Sequence, residues 1–199
     1  KAVEEASDEL ARLESRGIGF TGWTEEEYPS LLHECEDAPV GLYVRSRTPM
    51  DELWKPCRRI AVVGTRDITP YGREWCVRTV AGLSRSKEKP VIVSGLALGT
   101  DFCAHKAALE SGLATIGVMA TGPETVYPHR HREFAERLCE TPGCALVTDY
   151  PPGTAPLAVH FLRRNRIIAG LSDSTILIES KIKGGGMMTC RLAFSYSRD

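Results

Sequence analysis

Three arginines and an asparagine stand together where a helix is expected to start and then turn apolar. They are Arg163, Arg164, Asn165 and Arg166, within residues 160–170 (HFLRRNRIIAG). A helix N-terminus offers unpaired N–H groups and partial positive charge, and arginine pairs with phosphate oxygens through two parallel hydrogen bonds. Residues 157–172 contain no Asp or Glu to pair with these arginines. The run predicts a phosphate-binding site, and it leaves open a nucleotide, a cofactor or a nucleic acid.

The charge of the chain is divided unevenly along its length. Residues 1–45 carry 4 Lys and Arg against 11 Asp and Glu, whereas residues 46–199 carry 21 against 15. We therefore predict an N-terminal segment over residues 1–45 and a second domain over residues 46–199, with the boundary leading into Pro49 and Pro56. The basic second part suits a polyanion.

Composition narrows the class of protein further. The chain is 42% hydrophobic and has no apolar run long enough to span a membrane, so we expect a soluble globular protein. Its 7 cysteines are scattered and form no Cys-x-x-Cys pair, which argues against a disulfide framework or a zinc site. With no visible secretory signal, these features favour the cytoplasm.

Short apolar strands alternate with helices throughout the second part. We predict strands over residues 60–63, 91–93, 114–119, 145–147 and 174–178. We predict helices over residues 71–83 and 132–139, and between them a helix that ends at about residue 111. This pattern is typical of a parallel sheet covered on both faces. The predicted fold is α/β, Rossmann-like and doubly wound, with a mainly parallel sheet. A small, mostly helical N-terminal segment precedes it, with a helix over residues 3–15, an irregular arm and a strand within residues 39–44.

The residues that follow the predicted strands are candidates for a binding site, because ligands of such sheets bind beyond the carboxyl ends of the strands. Most of these segments carry glycine, a hydroxyl group or arginine. They are residues 64–66 (GTR), 94–96 (SGL), 121–122 (TG) with 127–128 (YP), 150–154 (YPPGT) and 184–186 (GGG). We expect close backbone approach to an extended anion, since no pair of carboxylates stands out for acid–base chemistry.

Several of these segments together resemble the DNA-processing protein DprA (Smf) family. The resemblance rests on residues 28–32 (YPSLL), 62–66 (VVGTR), 93–101 (VSGLALGTD) through His105, 127–128, 150–154 and 161–172, in the same order and with compatible spacing. It covers the chain from about Gly17 to its end. Segments found in this order are far more specific than any one of them alone.

The resemblance implies a protein that binds single-stranded DNA without strong sequence preference. It further implies a homodimer in the cytoplasm that protects incoming DNA during natural transformation (competence), loads the recombinase RecA, and uses neither catalysis nor a cofactor or metal. The residues matched to the DNA-binding pocket are Arg66, Ser94, Gly95, Phe161, Arg163, Arg164, Asn165, Arg166, Gly185, Gly186 and Met187. Phe161 would offer a stacking face to a base. Helical spacing puts Arg163 and Arg166 on one side and Arg164 elsewhere.

The chain departs from the family pattern in three places. Residues 184–190 read GGGMMTC where many members read SGSLITA, so two hydroxyl donors are absent. Ala158 stands where some members carry a lysine. The chain ends at Asp199, before a further strand and any C-terminal winged-helix domain, so we expect the second domain to be truncated there.

Two enzyme classes are alternatives to a binding module. A nucleotide-binding enzyme of the related phosphoribohydrolase-like Rossmann group would need Pro-Gly-Gly-x-Gly-Thr followed by a glutamate, which residues 184–189 do not provide. A dinucleotide-dependent oxidoreductase would need Gly-x-Gly-x-x-Gly where the chain reads GTRDIT over residues 64–69.

Three further groups of residues resemble sites, but each has a simpler interpretation. Ser94 lacks the Gly-x-Ser-x-Gly context of a hydrolase, and we expect Asp101 to pair with His105 and brace their helix. Residues 129–132 (HRHR) predict a solvated basic loop, because no adjoining carboxylate or cysteine completes a metal site. Tyr127 and Tyr150, each before a proline, are expected to anchor loops.

Overall fold

A mixed seven-stranded sheet with helices on both faces forms the centre of the protein. The computed structural model describes residues 2–55 and 57–199, so Pro56, at the expected boundary, lies outside them. The strands are β1 (Ile18–Gly22), β2 (Gly41–Arg45), β3 (Arg59–Val63), β4 (Val91–Ser94), β5 (Thr115–Val118), β6 (Ala145–Thr148) and β7 (Ser174–Leu177). The helices are α1 (Ala2–Glu14), α2 (Ser30–His33), α3 (Met50–Leu53), α4 (Pro70–Leu83), α5 (Thr100–Glu110), α6 (Arg132–Cys139), α7 (Ala158–Gly170) and α8 (Gly185–Ser195). The predicted α/β fold is confirmed.

The order of the strands creates a point where the chain reverses its direction across the sheet. The order is β1-β2-β6-β5-β4-β3-β7, and the five strands from β3 to β7 run parallel. The chain therefore moves from β3 towards β6 and then returns to place β7 on the other side of β3. In parallel sheets the loops at such a reversal leave a crevice beyond the carboxyl ends of the strands.

Alternating strand residues bury both faces of the sheet. On β3, Val62 packs with the core residues of α4 and α5, while Ala61 and Val63 pack on the other face with Ile167 and Ile168 of α7. Each apolar strand residue thus has a helix to cover it, which is why the strands are apolar along their whole length. This packing fixes α7 beside the carboxyl end of β3.

The N-terminal segment contributes two strands to the same sheet. β1 and β2 pair antiparallel, and β2 pairs antiparallel with β6. The sequence predicts an irregular arm where β1 (IGFTG) lies, and the structure differs. Pairing with β2 and burial of Ile18 and Thr21 give it strand structure. The division after Arg45 marks a change of charge and stays a prediction as a domain boundary.

Unfolding of a Leu42→Ala variant tests whether the N-terminal segment folds with the rest of the sheet. Leu42 is fully buried in the core that also contains Val63 and Ile167. We expect one transition in urea, with the free energy of unfolding lowered by about 2–5 kcal/mol. Val40→Ala, at a side chain that is 88% exposed, is the control and should change it by less than about 0.5 kcal/mol. Two separate transitions would show that the segment folds independently.

Candidate nucleic-acid interface

A pocket of about 710 Å³ lies beyond the carboxyl ends of β3 and β7. One wall comes from residues 64–66, which follow β3, and a second comes from Lys181 and residues 184–186, which follow β7. α7 supplies the third wall. The pocket therefore occupies the place where the strand order reverses, as expected for a ligand site of this fold.

One face of α7 lines the pocket, and it holds one of the three clustered arginines. Phe161, Arg164, Asn165 and Ile168 are spaced three and four residues apart, so they share this face. The expectation that the arginines begin the helix is wrong, because α7 starts at Ala158 and they lie in its middle turns. The field of this helix N-terminus acts within its first turn and does not reach them.

Arg164 is a buried cation at the base of the pocket. Its side chain is 3% exposed, and Nη1 donates hydrogen bonds to the carbonyl oxygens of Gly95 and Val118. Burial, opposed by the charge of Asp101 and reinforced by that of Arg66, lowers its pKa to about 10. The group stays protonated at neutral pH. A Cβ on Gly95 would lie 2.2 Å from Nη1, so only glycine admits the guanidinium here.

Arg66 and two aromatic rings form the outer part of the pocket. The Arg66 guanidinium lies over the Phe161 ring, 5.0 Å from its centroid, and that of Arg164 lies 6.0 Å from the same centroid. The Tyr127 ring meets Phe161 edge to face at 5.4 Å. Cations are attracted to aromatic faces, so Phe161 holds Arg66 at the pocket.

The N-terminus of α8 lies against the loop after β3. A Cβ on Gly186 would come within 2.9 Å of the Cα of Gly64, so this contact requires glycine. Asn165 Nδ2 donates to the Gly185 carbonyl oxygen at 3.4 Å and joins α7 to α8. The first N–H groups of a helix lack acceptors within the helix and favour an anion. The start of α8 therefore lines this pocket, together with Ala158 at the start of α7 and Asp101 in the first turn of α5.

The other residues matched by resemblance lie around the pocket rather than in its wall. Arg163 is exposed, and Met187 is half-buried. Arg166 makes an ion pair with Asp149 at 2.5 Å and donates to the Asp37 carbonyl oxygen. Arg166 therefore ties the N-terminal segment to α7. Helical spacing grouped Arg163 with Arg166, but the arginine that lines the pocket is Arg164. The spacing alone therefore did not identify the face of α7 that meets the pocket.

Comparisons of sequence identify the family. The profile of the family described as DNA recombination-mediator protein A matches residues 19–199. The chain belongs to this family. It is 38% identical over 172 residues to the DNA processing protein DprA of Streptococcus pneumoniae, covering 86% of this chain and 58% of that protein. It is 37% identical over 174 residues to the protein Smf of Escherichia coli, covering 87% of this chain and 45% of that protein. The chain thus spans about half the length of these relatives.

Solved structures of family members superpose on the whole fold. The structure of DNA processing protein A from Streptococcus pneumoniae gives a TM-score of 0.84 at 35% identity, covering 95% of this chain and 64% of that one. DNA processing protein A from Helicobacter pylori, described for its single-stranded DNA binding mode, gives 0.77 at 28% identity. That superposition covers 90% of this chain and 78% of the other.

The resemblance did not assign several residues of the pocket wall to the site, Lys181 and Tyr127 among them. Lys181 lies in the loop after β7, and Tyr127 follows β5 and had been interpreted as a loop anchor. The rule that ligands bind beyond the carboxyl ends of strands applies to both positions. It had already indicated residues 127–128, and applied to the whole loop after β7 it would have indicated Lys181 too.

The groups that resembled a hydrolase triad have other partners. Ser94 Oγ donates to the Val62 carbonyl oxygen at 2.6 Å. The expectation that Asp101 braces His105 is wrong, because the His105 ring bonds Thr115 Oγ1 at 2.7 Å. Burial, with the charges of Arg164 and His131 adding to it, lowers the pKa of His105 to about 3. Ser94 and His105 are therefore part of the buried interior.

The histidines of residues 129–132 form a short 3-10 helix where a solvated loop was expected. His131 is buried, bonds the Leu96 carbonyl oxygen at 2.9 Å and stacks on Phe102 with centroids 4.0 Å apart. Across residues 2–55 and 57–199, no group of three or more His, Cys, Asp or Glu side chains is arranged to hold a metal ion. The same part of the chain contains no helix that is long and apolar enough to cross a membrane.

Replacing Gly95 tests the close approach of Arg164. We expect Gly95→Ala to lower the free energy of unfolding by about 1–3 kcal/mol, because its Cβ would overlap the guanidinium. Gly82→Ala is the matched control, since a Cβ there meets nothing within 4 Å and alanine favours the helix by roughly 0.5–1 kcal/mol. Urea denaturation measures both variants. Equal stability of Gly95→Ala and the wild type would contradict this geometry.

Proposed function

We propose that the chain binds single-stranded DNA in this pocket, without strong sequence preference, and acts in natural transformation and recombination. The observation that carries the proposal is a pocket at the strand-order reversal that combines Arg66, Arg164 and Lys181 with the rings of Tyr127 and Phe161. Cations that track phosphates beside aromatic rings that stack bases are the usual means of binding a single strand. The relative from Helicobacter pylori, described for single-stranded DNA binding, supports the choice of ligand.

The groups of the pocket suit the backbone of DNA better than the edges of its bases. Arg66 and Lys181 are cations on two walls of the pocket, and the start of α8 offers N–H groups to the same phosphates. Asn165, the amide in the α7 wall, donates to the Gly185 carbonyl oxygen. Phosphate contacts position a strand and carry no sequence information. Binding should therefore tolerate any sequence.

The remaining matched residues have supporting roles in this proposal. Gly95 admits Arg164, and Ser94 fixes the end of β4 through its bond to β3. The exposed guanidinium of Arg163 would contact DNA that extends beyond the pocket along α7. It lies three residues before Arg166, which connects the N-terminal segment to α7. Met187 packs at the start of α8.

The proposal is one of binding without catalysis, in the cytoplasm. Its alternative is a nucleotide-binding enzyme of the phosphoribohydrolase-like Rossmann group. Ser94 and His105 are both fully buried, where they bond the Val62 carbonyl oxygen and Thr115 Oγ1, which supports binding because neither is exposed to act as nucleophile or base. Release of base from AMP by the purified chain would favour the alternative.

Salt titrations of oligonucleotide binding test the role of the cations. For a single strand, the logarithm of the binding constant falls with the logarithm of salt by about 0.7 per phosphate neutralised. We expect Arg66→Ala, Lys181→Ala and Arg163→Ala each to flatten the slope by about that amount. Arg78→Ala, an exposed arginine of α4 paired with Glu74, is the control and should leave the slope unchanged.

Fluorescence anisotropy with labelled oligo(dT), oligo(dC) and mixed-sequence strands measures these slopes. Similar affinities for the three strands, and weaker binding to a duplex, are the expected results. A wild-type chain that prefers the duplex, or that shows no dependence on salt, would refute the proposed function.

We further propose that a homodimer of this protein protects incoming single strands and loads RecA onto them. The family membership supports this role. RecA hydrolyses ATP when it is assembled on single-stranded DNA, so hydrolysis follows loading. We expect the chain to shorten the lag before hydrolysis, and Arg66→Ala to shorten it less. An unchanged lag with wild-type chain that binds the DNA would reject the loading role for residues 1–199.

A further inference from the structure

Two cysteine side chains meet in the core where α4 packs against α5. Cys76 on α4 and Cys103 on α5 are both free and buried, and they belong to one core cluster. The Sγ atom of Cys76 lies 3.9 Å from the carbonyl oxygen of Thr100 on α5. The Sγ atom of Cys103 lies 3.9 Å from the carbonyl oxygen of Arg73 on α4. Each sulfur therefore reaches across to the other helix, which brings the two thiols together.

The two thiols differ in how readily they ionise. A hydrogen bond from Cys76 lowers the pKa of Cys103, against the opposing effect of burial, and the charges of Arg73 and Lys106 lower it further. The same hydrogen bond raises the pKa of Cys76, and burial raises it further. A thiolate attacks an oxidant and a thiol does not, so Cys103 is the nucleophile of the pair.

Cys103 is also the more accessible sulfur of the two. Its side chain is 4% exposed, whereas that of Cys76 is 0% exposed. The neighbouring Arg73 and Lys106 are both exposed, so the surface lies close to Cys103. Hydrogen peroxide is close to water in size. A small local opening between α4 and α5 therefore admits it, where a bulkier oxidant such as glutathione disulfide is excluded.

We propose that Cys76 and Cys103 form a peroxide-sensitive dithiol, a modification site separate from the DNA-binding pocket. The Cys103 thiolate attacks one oxygen of hydrogen peroxide, so that an S–O bond forms, the O–O bond breaks and hydroxide leaves. Cys103 is then a sulfenic acid. The Cys76 sulfur attacks the Cys103 sulfur, an S–S bond forms, and the hydroxyl group leaves with the thiol proton as water. Two thiols are thus oxidised to a disulfide, and one peroxide is reduced to two waters.

The disulfide would join two helices that hold the loop between β3 and α4. Thr100, in the first turn of α5, donates from N and from Oγ1 to the Thr65 carbonyl oxygen at 3.0 and 3.2 Å. At the other end of the loop, Thr69 Oγ1 accepts from Gly72 N at 3.0 Å and caps α4. The bond also restrains the unfolded chain between its two cysteines. The oxidised protein should therefore resist unfolding better than the reduced one.

Peptide mapping after treatment with hydrogen peroxide tests the proposal. The folded chain is oxidised at neutral pH, free thiols are alkylated, and the digest is analysed by mass spectrometry without reduction. We expect the peptides that contain Cys76 and Cys103 to be joined, and dithiothreitol to separate them. Cys139 and Cys144, two buried cysteines of another core cluster, are the internal control. Burial raises the pKa of both, so they should stay reduced.

Single variants separate the attacking sulfur from the resolving one. In Cys76→Ala, the sulfenic acid of Cys103 has no partner, so dimedone should label Cys103. In Cys103→Ala, dimedone should leave Cys76 unlabelled. Cys57→Ala, at an exposed cysteine, is the matched control and should form the disulfide as wild type does.

Urea denaturation measures the effect of the disulfide on stability. The oxidised wild-type chain should unfold at a higher urea concentration than the reduced chain. The same peroxide treatment should leave the midpoint of Cys103→Ala unchanged. Thermal unfolding of each variant confirms that it is folded, and the peptide map of the wild-type chain needs no variant.

Three results would overturn the proposal. The first is a wild-type chain in which Cys76 and Cys103 stay reduced at a peroxide concentration that oxidises the exposed Cys57. The second is dimedone on Cys76 in Cys103→Ala with none on Cys103 in Cys76→Ala, which would reverse the order of attack. The third is a disulfide that leaves the urea midpoint where it was. None of these measurements involves DNA, so their outcome is independent of the proposed function.

Discussion

The buried guanidinium of Arg164 joins α7 to the ends of two neighbouring strands. It extends from α7 to the carbonyl oxygens of Gly95 after β4 and Val118 at the end of β5. Burying a charge is costly unless hydrogen bonds and opposite charge compensate, and the carbonyl oxygens and the nearby Asp101 provide both. Because Phe161 lies one turn earlier on α7, fixing Arg164 also fixes the ring over which Arg66 is held.

The three clustered arginines thus have three different roles, although they are neighbours in sequence. Arg164 forms the base of the pocket, Arg166 ties Asp149 and the N-terminal segment to α7, and Arg163 is exposed to solvent. A helix turns by about 100° per residue, so adjacent positions must point in different directions. A cluster of like residues on a helix therefore predicts a positive region, but not a common contact.

Much of the fold followed from the sequence because its strongest signals are local. Strands that are apolar along their whole length indicated a sheet covered on both faces, and glycine-rich strand ends indicated the edge at which the pocket lies. The start of α7 was misplaced because no capping side chain marks it: Leu157 precedes the helix and makes no side-chain cap. The strand β1 was missed because pairing with β2 stabilises it, and a local sequence pattern does not reveal that pairing.

The site was harder to predict than the fold, since its residues meet only after the chain has folded. Lys181 and Tyr127 are distant in sequence, and the strand order brings their loops to one pocket. The two close approaches at glycines also form only in the folded chain. Gly95 leaves room for the Arg164 guanidinium and Gly186 for the backbone of Gly64, and no sequence pattern predicts either partner.

The protonation of Arg164 bears on why an anion should enter this pocket at all. Burial lowers its pKa to about 10, so it keeps its charge at neutral pH even though the fold has taken it out of water. Burial also raises the pKa of Asp101, and the charge of Arg164 opposes that shift. Positive charge that is only partly compensated, in a region of low dielectric, attracts a phosphate more strongly than the same charge in solvent. The residue that holds α7 in place thus also contributes positive charge at the base of the pocket.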